Sequence, residues 1–368
     1  MTEAKGKKRM PLVLKILLII ICVILAAVLL LLIVLSIAEY RPDDVETVAV
    51  TASDDSEART LSSGDTITIV SWNTGYGALG KTADFFMDGG TMVKTADEEG
   101  VESNMEGIEE AVSDLSPDIL FLQEVDTNSS RSSHIDESGE YADEFSDILG
   151  ESAFAYNFKV LFVPYPIPPI GTVNSGIQTL SSYGISSAER IQLPCSFKWP
   201  VRIANLKRCL LVSRIPIEGS GGKELVAINL HLEAYDQGEG KAAQTAALKE
   251  FMQEEVDKGN YVIAGGDFNQ TFSNLDTSAY PQFEDCWQSG LIDVSEFGDS
   301  FSFYMDSSVP TCRSLDRPYN GESPDEFQFY VIDGFIVSDN IEVISEETID
   351  EGFEYTDHNP AVIEIKLD

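Results

Sequence analysis

Two short polar motifs, each next to a run of apolar residues, hold the side chains best suited to chemistry. Asp267 and Asn269 follow an apolar run that ends in two glycines, and Asp357 and His358 precede the last apolar run of the chain. Because side chains alternate across an extended backbone, Asp267 and Asn269 point to the same side. A carboxylate beside an imidazole provides the groups that acid–base chemistry on a charged ester requires. The motifs therefore predict the two halves of a site for metal-assisted phosphodiester hydrolysis.

The histidines, of which the chain has only 3, support this interpretation. His231 ends an apolar run of its own, and His358 belongs to the second motif, so both are predicted to lie next to strands. A single histidine is more often structural than catalytic, but the acidic motifs reverse that expectation here. His134 lies in a polar segment with Arg131, and two interpretations stay open: surface residues, or part of a substrate-binding rim.

Three more polar residues end or interrupt apolar runs that predict buried strands: Asn73, Glu124 and Asp333. A carboxylate such as that of Asp333 needs a partner when it is buried. For Asn73 and Glu124 the alternative is a strand end exposed to solvent. Oxygen ligands from Glu124, Asn73 and Asp357 suit Mg²⁺, Mn²⁺ or Ca²⁺ better than zinc, and no Cys/His cluster has zinc-site spacing.

Amphipathic segments predict the helices that lead into these strands. Ser103 and Glu106 form a capping-box pattern, and apolar residues then recur at helical spacing before the strand of Glu124. A second helix, predicted over residues 242–256, precedes the strand of Asp267. The alternation of helices and strands indicates one mixed domain without internal repeats.

Six motifs follow one another in the order of a known superfamily: Trp72-Asn73, Gln123-Glu124, Asn229-Leu230-His231, Gly266-Asp267-Phe268-Asn269, Ile332-Asp333 and Thr356-Asp357-His358. The chain resembles the endonuclease/exonuclease/phosphatase superfamily, in its deoxyribonuclease I-like form, and looks like a membrane-anchored bacterial-type member. This superfamily includes deoxyribonuclease I, apurinic endonucleases, neutral sphingomyelinases and inositol-polyphosphate phosphatases. The resemblance implies an α+β fold: a four-layer α/β/β/α sandwich of two mainly antiparallel sheets.

The resemblance also implies a divalent metal site. Asn73, Glu124 and Asp357 would lie at the cation, with Glu124 as its main carboxylate ligand. The expected cofactor is Mg²⁺, with Mn²⁺ or Ca²⁺ as alternatives.

The catalytic roles implied by the resemblance fall on five residues. Asp267 would orient or deprotonate the attacking water, and Asn269 would help to hold the scissile phosphate. His358 would contact a non-bridging phosphate oxygen, and Asp333 would fix the tautomer of His358. His231 would be a second catalytic histidine. Apurinic endonucleases depart from histidine at this position, so the chain is expected to differ from them.

The substrate-binding side of the site is less well specified. Asn174 occupies the place where the superfamily has a phosphate-contacting amide, but Ser181-Ser182 stands where a Ser-Arg pair is usual. The proline-rich segment 162–172 precedes Asn174. It is interpreted either as a rigid surface connection or as a loop that lines the substrate groove or touches a membrane.

The N-terminal part of the chain predicts a membrane helix. Residues 16–38 are apolar except for Ser36, and this length spans a hydrocarbon core of about 30 Å. Because basic residues precede this segment, the domain after it is expected on the extracellular side. The alternative is a signal peptide cleaved near Ala38, but a signal peptide has a shorter apolar region.

Four segments follow from this interpretation. We expect a basic cytoplasmic tail over residues 1–15, a transmembrane helix over 16–38, a flexible polar stalk over 41–65 and the catalytic domain over 66–368. Four cysteines lie after the helix, and an oxidising exterior permits disulfides among them, although sequence selects neither a pairing nor free thiols.

The charge of the chain limits the partners of the domain. The net charge is −38, and without the +3 of residues 1–40 the remainder carries −41. Such a surface repels long polyanions, so we expect no sequence-specific nucleic-acid recognition. The predicted protein is a monomeric extracellular phosphoesterase, and its substrate (DNA, RNA, a phospholipid or a small phosphoester) stays open. The alternative is a non-catalytic binding ectodomain on the same scaffold.

Overall fold

The computed structural model describes residues 10–54, 56–236, 238–284 and 286–367. The predicted basic residues Lys5, Lys7, Lys8 and Arg9 lie outside the described residues. There are four α-helices in the described part: α1 (Leu12–Ile37), α2 (Glu98–Leu115), α3 (Glu137–Glu144) and α4 (Glu239–Asp257).

The strands form two large sheets and two small ones. They are β1 (Val45–Val48), β2 (Val50–Ala52), β3 (Leu61–Ser62), β4 (Thr66–Asn73), β5 (Ile119–Asp126), β6 (Glu151–Val163), β7 (Gly171–Ser181), β8 (Ser187–Gln192), β9 (Cys209–Glu218), β10 (Glu224–His231), β11 (Tyr261–Asp267), β12 (Gln270–Phe272), β13 (Gly290–Ile292), β14 (Phe301–Tyr304), β15 (Cys312–Arg313), β16 (Phe329–Tyr330), β17 (Asp333–Ser338), β18 (Ile341–Thr348) and β19 (Ala361–Leu367).

The two large sheets stack face to face. One has the order β1-β8-β9-β10-β11-β17-β14, with β3 paired to β9, and the other has the order β18-β19-β4-β5-β7-β6-β2. Most neighbours are antiparallel, but β10 and β11 run parallel, as do β4 and β5. These parallel pairs bring consecutive carboxyl ends to one edge, where the polar motifs lie.

Three apolar clusters separate four layers. The central cluster joins the two sheets and includes Phe121, Ile263 and Phe335. A second cluster packs α4 through Leu248 and Met252 onto the first sheet, and a third packs α2 and α3 onto the other sheet. The predicted α+β, four-layer α/β/β/α sandwich is therefore confirmed.

Both predicted core helices exist, with earlier starts. Helix α2 begins at Glu98, where the Asp97 side chain accepts a hydrogen bond from the Gly100 amide. Ser103 thus lies inside the helix, because the cap at Asp97 satisfies the first free amides one turn earlier. Helix α4 covers the predicted range and extends it at its N-terminal end.

Helix α1 is the candidate membrane segment. Its 26 residues have a mean hydropathy of 3.8 in the most apolar window, which is long and apolar enough to cross a membrane. A signal sequence near the N-terminus has the same properties.

The expected flexible stalk over residues 41–65 is wrong, because the segment pairs with both sheets. Strand β1 pairs with β8, β2 pairs with β6, and β3 pairs with β9. Packing of apolar side chains explains this pairing. Val48 and Val50 pack against the central cluster, and the fully buried Leu61 belongs to that cluster. These short runs are thus strands of the two-sheet domain.

Candidate active site

Strand register brings three of the predicted residues into one row. His231 at the end of β10 pairs with Asp267 at the end of β11, and Asp267 pairs with Asp333 at the start of β17. Gly266, just before Asp267, has a φ of +147°, and a Cβ there would lie 2.0 Å from the Leu230 carbonyl oxygen. Only glycine permits this close approach of β10 and β11.

Asp267 is the centre of the site. One of its carboxylate oxygens, Oδ2, accepts hydrogen bonds from Asn73 Nδ2 at 3.2 Å and Asn269 Nδ2 at 3.3 Å. The same oxygen lies 3.3 Å from His231 Nε2 and 3.9 Å from His358 Nε2. Burial, together with the Asp333 charge, raises the pKa of Asp267 to about 7, against the opposing effect of His358. This value suits a group that takes up a proton at neutral pH.

The two histidines differ in protonation. Burial alone would lower the pKa of His358, but Asp333, whose Oδ2 lies 2.9 Å from His358 Nδ1, raises it well above the usual value. Burial lowers the pKa of His231 well below its usual value, and the positive charges of Arg208 and His358 add to this effect. At neutral pH, His358 is therefore the cationic donor and His231 the neutral imidazole.

Glu124 and Asp357 are two further carboxylates of the site. Asn73 Nδ2 lies 3.3 Å from Glu124 Oε1, so one amide connects Glu124 with Asp267. The Asn73 side-chain oxygen accepts a hydrogen bond from the Gly75 amide at 3.0 Å, which leaves its second lone pair for another partner. Burial raises the pKa of Asp357, with the Glu124 charge acting in the same direction.

These carboxylates fit a hard divalent cation. Carboxylate oxygens suit Mg²⁺, Mn²⁺ or Ca²⁺, and a bound cation would offset the negative charge of the two side chains. In the described part of the chain, Cys312, Asp357 and His358 place possible ligand atoms within 4.8 Å of one another, as do Asp267, Asp333 and His358. Burial raises the pKa of the Cys312 thiol to about 12, so at neutral pH this sulfur is protonated.

The predicted substrate-binding residues divide into two groups. Arg131 lines the cavity that also contains Asp267 and His358. There it donates to Asp126 at 2.9 Å and stacks over the Tyr76 ring at 3.6 Å. His134 is exposed and lies 2.6 Å from Asn128, and Asn174 donates to the Asn128 carbonyl at 2.7 Å. Among the described residues that line the cavity, neither His134 nor Asn174 is present.

Arg208 is a site residue that the sequence did not reveal. Its buried guanidinium lines the cavity, and its Nη1 donates to the His231 carbonyl at 3.1 Å. Its Nε has no hydrogen-bond partner among the described residues. A cationic donor of this kind suits a phosphate oxygen. The sequence contains no signal for a role of Arg208, because Lys207-Arg208 resembles an ordinary polar pair before a strand.

A buried amide network supports the site from below. Gln123 Nε2 donates to Asn229 Oδ1 at 2.9 Å, and Asn229 Nδ2 donates to the carbonyls of Leu122 and Gln178. Asn229 belongs to β10, and its partners belong to the other sheet. The network therefore fixes the position of one sheet's strand ends against the other's.

Two residues of the site have a strained backbone conformation. Glu124 has φ of 57° and lies at a register shift of β5, and Asn269 has φ of 51°. Left-handed backbone at a residue other than glycine costs about 1–2 kcal/mol and is typical of functional positions.

The comparison with protein families gives the class that this fold and site define. Residues 70–358 match the model of the Endonuclease/Exonuclease/phosphatase family, so the chain belongs to that family. Family members are hydrolases that act on phosphoesters, generally with a divalent metal. No curated protein matches the chain.

Solved structures share the fold at low sequence identity. An endonuclease/exonuclease/phosphatase from Beutenbergia cavernae DSM 12333 is similar at 17% identity and a TM-score of 0.55, over 82% of this chain and 72% of that one. A family protein from Leptotrichia buccalis C-1013-b has 14% identity and a TM-score of 0.50, over 82% and 100%. TDP2 from C. elegans has 16% identity and a TM-score of 0.50, over 83% and 76%.

Proposed function

We propose that this chain is a membrane-anchored phosphodiesterase that depends on a divalent metal ion. The observation that carries the proposal is Asp267, a buried carboxylate whose Oδ2 lies within 3.3 Å of two amide nitrogens and of His231 Nε2, and 3.9 Å from His358 Nε2. Phosphodiester hydrolysis needs a base for water, positive charge at the phosphate and a fixed geometry. All three are present at one strand edge.

The side chains divide the reaction as follows. Asp267 orients the water and takes its proton while the water oxygen forms a bond to phosphorus. The phosphorus–oxygen bond to the leaving group breaks, the departing alkoxide takes up a proton from solvent water, and the products are a phosphomonoester and an alcohol. Cationic His358, held by Asp333, donates to a non-bridging oxygen, and Asn269 and Arg208 hold the phosphate. A cation held by Glu124 and Asp357 would neutralise phosphate charge.

The alternative of a non-catalytic binding ectodomain has no observation in its favour. A binding surface does not require a buried carboxyl bonded to two amides and facing two histidines. Burial of so many polar groups opposes folding, whereas catalysis uses such preorganisation directly.

Hydrolysis of a soluble diester tests the proposal. The full-length protein in detergent should hydrolyse bis(4-nitrophenyl) phosphate with Mg²⁺ or Mn²⁺, and EDTA should abolish the activity. Asp267→Asn should lower turnover at least about 10²-fold, the lower range for a lost acid–base group. Asp339→Asn, an exposed carboxylate beyond β17, is the matched control. A folded protein inactive on diesters and monoesters with every cation would contradict the proposal.

We also infer that α1 remains as a single-pass anchor, with the catalytic domain outside the cell. The length of α1 supports the anchor, and the basic residues before it support the orientation. Cys195 is an exposed, free thiol in that domain. A membrane-impermeant maleimide should therefore label intact cells, and Cys195→Ser should lower this labelling. Labelling only after lysis would reverse the orientation.

The acidic charge supports a monomer without sequence-specific nucleic-acid recognition, since it repels both polyanions and further copies of the domain.

A further inference from the structure

The end of α1 is attached to the catalytic domain close to the cavity. Leu35 is the buried residue of this helix, at 5% exposure. Ser36 Oγ accepts a hydrogen bond from Trp199 Nε1 at 3.1 Å. The Glu39 side chain, 1% exposed, lies 2.8 Å from Arg202 Nε and 3.7 Å from Lys207 Nζ. These contacts hold the loop between β8 and β9 against the helix end.

The cavity of the active site extends to this helix. Its volume is about 780 Å³, and its lining includes both Asp267 and His358 of the site and Leu32 and Leu35 of α1. Apolar side chains form much of the remaining lining, among them Phe158, Val163, Ile170, Phe197, Val201 and Ile203. A phosphate at the centre would thus have an apolar passage leading from it toward the helix.

Four exposed apolar side chains belong to the two loops that contribute to this cavity, and one of them, Trp199, bonds Ser36 of α1. Ile167 is 93% exposed, Tyr165 70%, Val201 58% and Trp199 57%. We call these four residues the apolar collar. They come from two separate loops, and Tyr165 and Val201 also line the cavity. Apolar side chains this exposed, beside a helix fit for a membrane, are suited to insertion into a lipid surface.

We propose that the substrate is a phosphodiester lipid of the membrane that contains α1. This inference rests on the proposed function and specifies its substrate class. The lipid phosphate lies beside Asp267 and His358, the acyl chains follow the apolar passage toward α1, and the apolar collar enters the bilayer. Water attacks phosphorus, and one of the two ester bonds breaks, so that either cleavage gives a phosphomonoester and an alcohol.

The charge of the domain favours a lipid over a nucleic acid. Residues 41–368 carry −41, and a long polyanion would meet repulsion at each successive phosphate. A lipid presents one phosphate to the cationic groups of the site, and its hydrocarbon covers the apolar lining. A small soluble phosphoester would leave that lining in contact with water.

The test uses the full chain in nanodiscs made of equal parts phosphatidylcholine and phosphatidylglycerol, with Mg²⁺. Phosphorus NMR should show loss of lipid phosphodiester and gain of phosphomonoester. Ile167→Asp should lower lipid hydrolysis by about tenfold or more, because a charge opposes insertion of the collar. Its hydrolysis of bis(4-nitrophenyl) phosphate in the same nanodiscs should stay near that of the unchanged protein. The control is Leu291→Asp, which is 66% exposed and does not line the cavity.

Each outcome separates the two proposals. Hydrolysis of the soluble diester without any lipid hydrolysis overturns the lipid inference and leaves the proposed function intact. Cleavage of single-stranded DNA faster than lipid, per phosphodiester supplied, overturns it as well. Equal losses in Ile167→Asp and Leu291→Asp would refute the role of the collar. If folded, Mg²⁺-supplied protein hydrolyses none of these substrates, the proposed function fails.

Discussion

The bond between Asp333 and His358 allows a prediction with a calculated size. Asp333→Asn keeps the shape of the side chain but removes its charge from a buried contact of 2.9 Å. Hydrogen bonds to charged groups contribute about 1.5–3 kcal/mol. Since about 1.4 kcal/mol corresponds to a tenfold change in rate, turnover should fall by about 10- to 140-fold. The fold should persist, because Thr311 Oγ1 accepts from the Asp333 backbone amide independently of this side chain.

A double-mutant cycle tests this reasoning. Turnover of bis(4-nitrophenyl) phosphate is measured for Asp333→Asn, His358→Ala and the double variant, with Asp339→Asn as the control. If Asp333 acts by holding His358, its substitution should have little further effect once His358 is alanine. Losses that multiply, or an Asp333→Asn rate within about threefold of the unchanged protein, would refute the positioning role.

Three further outcomes are expected. His231→Ala should lower turnover about 10²-fold without changing metal affinity, and an unchanged rate would assign His231 to structure. Glu124→Gln should raise the cation concentration needed for half-maximal activity, since the amide lacks the charge that binds a hard cation; an unchanged midpoint with lower turnover would assign Glu124 to acid–base chemistry. Burial alone would raise the pKa of Glu255, but bonds from Arg214, Lys258 and Asn260 lower it to about 2. This pKa lies below the pKa of Glu255 in the unfolded chain. The contacts of the Glu255 carboxylate therefore stabilise the fold above about pH 4.5, and this stabilisation is lost as pH falls toward 2. Glu255→Gln should therefore lower the free energy of unfolding at pH 7 by up to about 3 kcal/mol, and by less at pH 3, as measured by urea denaturation; an equal difference at both pH values would contradict this account.

The sequence predicted the strand ends of the site because each combines two independent signals: a long apolar run that indicates a buried strand, and a polar residue directly at its end. Asp267 and His231 both end long apolar runs, and a polar group at such a position is either exposed or functional. The register then places them opposite each other, as parallel pairing of β10 and β11 requires. The two-sheet architecture came from the resemblance, since local patterns contain no information about which strands are neighbours.

Residues 41–65 were misjudged because edge strands have weak local signals. The runs of β1 and β2 are only 4 and 3 residues long, in polar surroundings. Their order depends on pairing with β8 and β6, which lie far along the chain. His134 was assigned to a possible substrate rim because it lies near Arg131, and Asn174 was assigned to phosphate binding from the resemblance. Their partner Asn128 could not be identified before the loop was folded. Arg208 and the passage to α1 likewise depend on tertiary contacts.

At Glu124 and Asn269 the left-handed backbone lowers the stability of the fold, whereas the side chains serve the proposed reaction. Glycine at either position would relieve the backbone strain, and the folded state would gain a part of the about 1–2 kcal/mol now stored there. The same replacement would remove a carboxylate or an amide from the reaction centre. Selection for heat resistance alone would therefore favour glycine at these two positions and give a more stable protein that lacks two groups of the proposed site.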